Sequence, residues 1–197
     1  LLTADKPESV VAAARTTTGE RMSAGERTMV QALARETNRQ RKEANAARKV
    51  VEELSETIEA TRRMGPVVGK ATAAVLVAEA GDPSSYSSAG AYVKVLGLNL
   101  KIRNSGKPAD QGQLAITKRG SSRARNYLYM AALRFVMKDA CFDAWYQRKV
   151  ERDGGKHKLK AVIALMRKLA AGLWHVARGS AFNATKLFDT ARLGLAA

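Results

Sequence analysis

Between Glu26 and Met64 the chain has neither glycine nor proline, the two residues that most readily stop a helix. Ser23 precedes this stretch as a cap, and Glu26 stands three residues on, completing a capping box. With Val30 as heptad position a, the a/d series reads Val30, Leu33, Thr37, Gln40, Ala44, Ala47, Val51, Leu54, Ile58. Its ends are apolar and its middle is polar or small. The 3-4 spacing predicts a coiled-coil arm over residues 23–63, about 60 Å long at ~1.5 Å per residue. Ala44 and Ala47 permit close helix approach, and Thr37 and Gln40 can fix register. The alternative is one long helix folded back on its own domain.

Residues 1–22 form an N-terminal remnant or linker, in which Pro7 can open a short helix over Ser9–Arg15. Residues 64–197 form a second, compact helical domain. In GPVVGKATAAVLVAEAGD (65–82) a glycine-containing turn leads at once into a small-residue helix, Lys70–Ala80, that Gly81 ends. This arrangement is like a helix-hairpin-helix, whose turn N–H groups face a DNA phosphate with Lys70 beside it. The other reading is an ordinary helix-helix turn. Ser87 or Ser88 caps a short helix to about Leu96, and Ser121 or Ser122 caps a helix over about 122–138. Further helices follow at about 139–152 and 156–177. The last buries Leu159, Val162, Ile163, Met166, Leu169, Leu173 and Val176. No stretch alternates with period two, so the fold class is all-α: a long helical arm, then a helical domain with a hairpin-like turn and a basic loop.

The net charge of +16 and pI near 10.3 point to a polyanionic partner. The excess is localised. From Lys94 to Lys138 there are ten basic residues and one acidic; from Trp145 to Arg178, nine and two. The arm, Glu20 to Arg63, carries ten basic and eight acidic residues and nearly balances. Such a footprint predicts nucleic acid. Few aromatics interleave the cations, which favours backbone recognition over base stacking. No run of apolar residues is long enough to span a membrane. The single cysteine, Cys141, excludes an internal disulfide or a cysteine-based zinc site and fits a small buried hydrophobe. His157 and His175 lie apart without acidic neighbours at ligand spacing, so no metal site is expected in this chain. No signal peptide is visible, which predicts the cytoplasm. The chain opens on Leu1 rather than Met, as if a segment preceded it.

One hydroxyl stands out. Ser105 lies in Arg103-Asn104-Ser105-Gly106-Lys107, flanked by cations and followed by a glycine that admits close approach. A serine Oγ in such a loop can attack phosphorus if cations neutralise the developing charge. The plain reading is an Asn-Ser-Gly turn.

The order of motifs adds to this. The glycine turn and helix of 65–82 precede A-Y-V-K-V-L-G-L (91–98), then S-G-K (105–107), I-T-K-R-G-S-S-R-A-R-N-Y-L (116–128) and K-L-F-D (186–189). Over residues 64–193 this resembles the C-terminal transposase domain of a bridge-RNA-guided bacterial insertion-sequence family of serine-dependent DNA recombinases. The heptad arm is similar to the coiled coil before that domain. The resemblance implies that Ser105 is the nucleophile of DNA strand cleavage and rejoining. It implies DNA and a structured guide RNA as partners, and a homo-oligomer joined through the arm. Arg103, Lys107, Lys118 and Arg119 are the cations expected at the reacting phosphate; Lys70, Arg123, Arg125 and Asn126 are expected on DNA backbone. The family's magnesium-binding, nuclease-like domain with four acidic residues is not in this sequence. On that reading the chain is a truncated half, inactive alone, with magnesium required only alongside the missing domain. The competing expectation is a non-catalytic nucleic-acid-binding module, architectural or RNA-binding, with an interaction arm.

Overall fold

Helix α1, Ala24–Ser55, begins at the predicted capping box: Ser23 Oγ accepts from the Glu26 N–H at 3.2 Å, and Glu26 Oε2 accepts from the Ser23 N–H at 2.8 Å. The structure, a computed structural model, describes residues 11–12, 15, 22–103, 113–155 and 157–195. Of the short helix expected over Ser9–Arg15, Val11, Ala12 and Arg15 are described and helical. The chain divides into two compact units, residues 1–47 and 48–197. Within the first, Arg39 bridges Glu36 at 2.7 Å and Glu43 at 3.0 Å along α1. Val30 and Leu33 of the heptad series are exposed there, and Val51 and Leu54 are exposed in the second unit.

The helix does not run unbroken to Met64. It stops at Ser55, and α2, Glu59–Val68, starts afresh. Ser55 Oγ donates to the Glu52 carbonyl at 2.8 Å and Thr57 Oγ1 to that of Leu54 at 2.6 Å. The backbone N–H groups of Glu56, Thr57 and Ile58 each reach back only three residues. Short hydroxyl side chains thus compete for the carbonyls that would have continued the helix. Nor does Gly65-Pro66 end α2, which runs through both. A single residue, Gly69 at φ 87°, connects α2 to α3, Lys70–Ala80. Arg134 caps this junction by donating to the Val68 carbonyl at 2.7 Å and to Thr72 Oγ1 at 3.3 Å.

A 3₁₀ turn at Pro83–Ser85 leads to α4, Ala89–Val95, capped by Ser88. Strands β1, Leu100–Arg103, and β2, Gln113–Ile116, then pair antiparallel, with Leu100 opposite Ile116 and Arg103 opposite Gln113. This hairpin is a small addition to the expected all-α fold. At four residues each its strands are too short to display an alternation. Helices α5, Ser122–Lys138, α6, Ala140–Arg152, and α7, Lys158–Ala177, follow, capped respectively by Ser121, Asp139 and the backbone of His157. The tail adds a 3₁₀ turn at Ala184–Leu187 and a short α8, Thr190–Leu193. The fold is all-α, with one small hairpin.

Helix α7 is the centre of the second unit. Its buried residues fall in adjacent pairs about one turn apart: Ala161-Val162, Leu165-Met166, Leu169-Ala170, Gly172-Leu173 and Val176-Ala177. Two neighbouring stripes result, so the helix can be covered from two sides. It packs against α2, α4, α5 and α6. Leu159, expected inside, is exposed, because it precedes the first buried pair. Arg63 from α2 donates to the Ala177 carbonyl at 3.0 Å and so satisfies the C-terminus of α7. Cys141 is buried, as predicted.

Tyr92 is fully buried on α4, and its hydroxyl has no hydrogen-bond partner among the described residues. Burial, then the proximity of Tyr86 and Asp82, pushes its ionisation well above the usual tyrosine range. A raised folded-state value makes the neutral phenol a source of stability below pH ~10 that is lost as pH climbs toward the folded value. Tyr92→Phe should therefore keep or raise stability at pH 7, by up to about 1 kcal/mol from removal of an unpaired buried hydroxyl. It should also flatten the alkaline fall in stability. Urea unfolding followed at pH 7 and at pH 10.5–11 checks both.

Candidate nucleic-acid interface

Two backbone segments cross beside the hairpin. Gly97 has φ 71°, and a Cβ there would stand 2.0 Å from the Arg119 carbonyl oxygen. Gly120 has φ 107°, and its Cβ would stand 2.1 Å from the Val95 carbonyl oxygen. Each glycine thus admits the backbone of the other segment, and no L side chain can replace it without displacing main chain. Hydrogen bonds fasten the crossing: the Lys118 N–H donates to the Gly97 carbonyl at 3.0 Å and the Thr117 N–H to that of Asn99 at 2.8 Å. Arg125, from the first turn of α5, donates to the Gly120 carbonyl at 3.0 Å and the Leu96 carbonyl at 3.4 Å. We call this the glycine clasp.

The clasp fixes where the cations of the K-R-G segment stand. Lys118 is held at φ 55°, a left-handed conformation uncommon for a side-chain-bearing residue. Its side chain and that of Arg119 are exposed. Arg119 lines a cavity of about 530 Å³ with Tyr86, Lys94, Asn99 and Thr117. Neither Lys94 nor Asn99 is among the site residues expected from sequence; Lys94 lies in the A-Y-V-K-V-L-G-L motif, and Asn99 follows it directly. Arg103 closes the last rung of the hairpin opposite Gln113. Ser105 and Lys107 lie outside the described residues.

The remaining predicted cations have partners within the protein. Lys70 pairs with Glu56 at 2.5 Å, and that carboxylate holds its ammonium above the usual lysine range. Arg123 pairs with Glu79 at 2.8 Å while staying exposed. Exposed pairs of this kind are worth little and exchange readily for a phosphate. Arg125 differs, because two main-chain carbonyls share its guanidinium. Asn126 is exposed on α5, next to Arg125. Lys118, Arg119 and Arg125 gather at the clasp, whereas Lys70 belongs to the α2–α3 junction. Arg134, which the charge count included, holds that junction together from α5.

Among the described residues no group of three or more His, Cys, Asp or Glu side chains gathers at metal-ligand spacing. No helix among them is long and apolar enough to cross a membrane.

Residues 63–147 match the family model of the transposase IS116/IS110/IS902 family. The matched span includes the Gly69 junction, the clasp, the hairpin and most of α6. The resemblance to an insertion-sequence transposase domain therefore has independent support there. Helix α7 and the tail lie beyond the matched transposase span. No curated protein matches the chain.

Gly97→Ala and Gly120→Ala should each cost about 3 kcal/mol or more, from positive-φ strain added to a backbone collision. Gly25→Ala, in α1 with open space around it, should instead stabilise by about 0.5–1 kcal/mol. Chemical denaturation of the three variants reads the contrast. Equal and small effects at all three sites would sink the clasp.

Proposed function

We propose that the chain is the DNA-binding, serine-bearing part of an insertion-sequence transposase, and that Ser105 forms the transient covalent bond to DNA. One observation carries this reading. The transposase match spans the hairpin and the glycine clasp, the two elements that bracket residues 104–112 in sequence. Arg103 closes the rung next to that stretch, and the clasp presents Lys118 and Arg119 on the segment that follows β2.

The proposed chemistry is transesterification. The Ser105 Oγ attacks a backbone phosphorus while the bond to one bridging oxygen of the DNA breaks. That oxygen leaves as a DNA hydroxyl, taking up a proton equivalent to the one serine releases through solvent. A phosphoserine diester results. A DNA hydroxyl then attacks the same phosphorus and returns the serine. Arg103, Lys107, Lys118 and Arg119 offset the charge that develops on the non-bridging oxygens, where a planar guanidinium can hold two at once.

The residues described do not fit a magnesium site. Glu59 is bound to Arg62 and Arg63, Glu79 to Arg123, and Asp153 to Lys149. No step is routed through a metal here. Any magnesium-binding carboxylates would come from another domain or chain. A guide RNA is a further expected partner, and the surplus charge of α5–α7 suits the backbone of DNA or RNA alike. The exposed Val30, Leu33, Val51 and Leu54 support self-association through the heptad stripe.

Incubating full-length protein, with the magnesium-binding domain present, with DNA substrate and guide, and resolving the products on denaturing gels, should show a DNA-linked protein band that Ser105→Ala abolishes. An adduct of undiminished intensity in Ser105→Ala removes the nucleophile assignment. Binding without any adduct in wild type would favour the non-catalytic module. For the arm, Leu33→Glu with Leu54→Glu should lower the mass measured by light scattering, while the circular-dichroism helix signal persists.

A further inference from the structure

The cavity at the clasp does not end there. Asn99 lines it and also lines a second cavity of about 430 Å³, shared with Arg167 and Lys168 of α7. Lys168 in turn lines a third, of about 600 Å³, with Trp145, Arg148, Arg152 and Arg192. Three cavities thus adjoin through two shared residues, from the K-R-G segment across α4 and α7 to α6 and the tail. Their linings hold eight Lys or Arg residues and two carboxylates, Glu151 and Asp189. Asp189 is already paired with Arg192 at 3.0 Å.

Lys168 and Arg167, at the middle of this path, have no carboxylate partner among the described residues. Lys168 is half-buried; its ammonium donates to the Leu187 carbonyl at 2.7 Å and sits 5.7 Å from the Trp145 ring and 5.0 Å from that of Phe188. Desolvation lowers its proton affinity below the usual lysine range, so the fold bears a cost for keeping a charge there. The Nε of Arg167 is buried and has no hydrogen-bond partner among the described residues. In the third cavity Arg152 stands 4.0 Å from Asp153 and Arg192 is paired with Asp189; both arginines are exposed, and a phosphate can replace such partners. With Arg167 and Lys168 beside them, the adjoining concave sites have their natural complement in a chain of phosphates.

We propose that these three cavities form one track for the backbone of a DNA strand running from the clasp to the α6–α8 corner. The track rests on reading the clasp as the DNA-facing end and extends beyond the matched transposase span, into α7 and the tail. Phosphates would occupy it successively near Arg119, near Arg167 and Lys168, and near Arg152 and Arg192. Trp145 is the aromatic surface at its far end.

Fluorescence anisotropy on the full chain tests this with DNA strands of about 20 and about 6 nucleotides, the long one able to reach all three cavities. Arg152→Gln with Arg192→Gln, both on exposed side chains, should weaken the long strand about tenfold and lower its salt slope by roughly one unit per lost phosphate contact. The same pair should leave the short strand within twofold, whereas Arg119→Gln should weaken both. A charge-matched change on the arm, Arg35→Gln with Arg41→Gln, should leave the long strand unaffected. Wild-type affinity of the distal pair for the long strand overturns the track. So does an equal loss in the arm variant, which would mean diffuse attraction, or a loss seen with RNA of the same length and not with DNA. Melting temperatures confirm that each variant is folded. The readout is binding, so a failed Ser105 adduct leaves the track standing, and a failed track leaves the serine chemistry standing.

Discussion

The crossing of two main chains at Gly97 and Gly120 is the constraint on which the rest of the putting-together of this surface depends. Each glycine makes room for a carbonyl of the opposite segment, and Arg125 then binds carbonyls from both sides of the crossing. Helix α4, the hairpin and the start of α5 are therefore registered against one another by backbone contact. Side-chain packing alone leaves rotamer freedom at such a junction; main chain against main chain does not. The cations that follow β2 inherit that rigidity, which matters because a phosphate is discriminated by where charges stand as well as by how many there are.

A comparable economy of guanidinium groups recurs through the domain. Arg63 closes the C-terminus of α7, Arg134 closes that of α2, and Arg125 closes the clasp. In each case a planar donor satisfies main-chain carbonyls that would otherwise lie near the core without a partner. A basic composition thus serves two ends. Part of the positive charge is structural and turned inward, and the remainder is left outward for a polyanion. Counting charges in sequence cannot separate the two, since Arg63, Arg134 and, through Leu96, Arg125 each find a partner in a distant segment.

That division explains which features were legible beforehand. The limits of α3 were readable from Lys70 and Gly81, and Ser88 and Ser121 announced the starts of α4 and α5, because caps and stops act within one turn of the chain. The heptad spacing announced α1 but not its end. Ser55 and Thr57 break it through hydroxyl contacts with neighbouring carbonyls, an effect weaker than proline and easily overlooked. The glycine-containing turn expected at 65 lies four residues on, at Gly69, because Pro66 is tolerated inside the last turn of α2. The hairpin was hidden by its brevity. At the candidate site, the K-R-G segment stood out by composition, whereas Lys94, Asn99 and the long-range roles of Arg125 and Arg134 required the folded chain.

The hairpin also sets how this surface can change over generations. Its two strands meet the domain through their base, at Leu100 and Ile116, next to the clasp. Residues inserted or removed between Arg103 and Gln113 are separated from the clasp by four paired rungs. Positions 97 and 120, in contrast, admit almost no replacement. A change of length there leaves the mounting in place, whereas a side chain at either glycine displaces main chain.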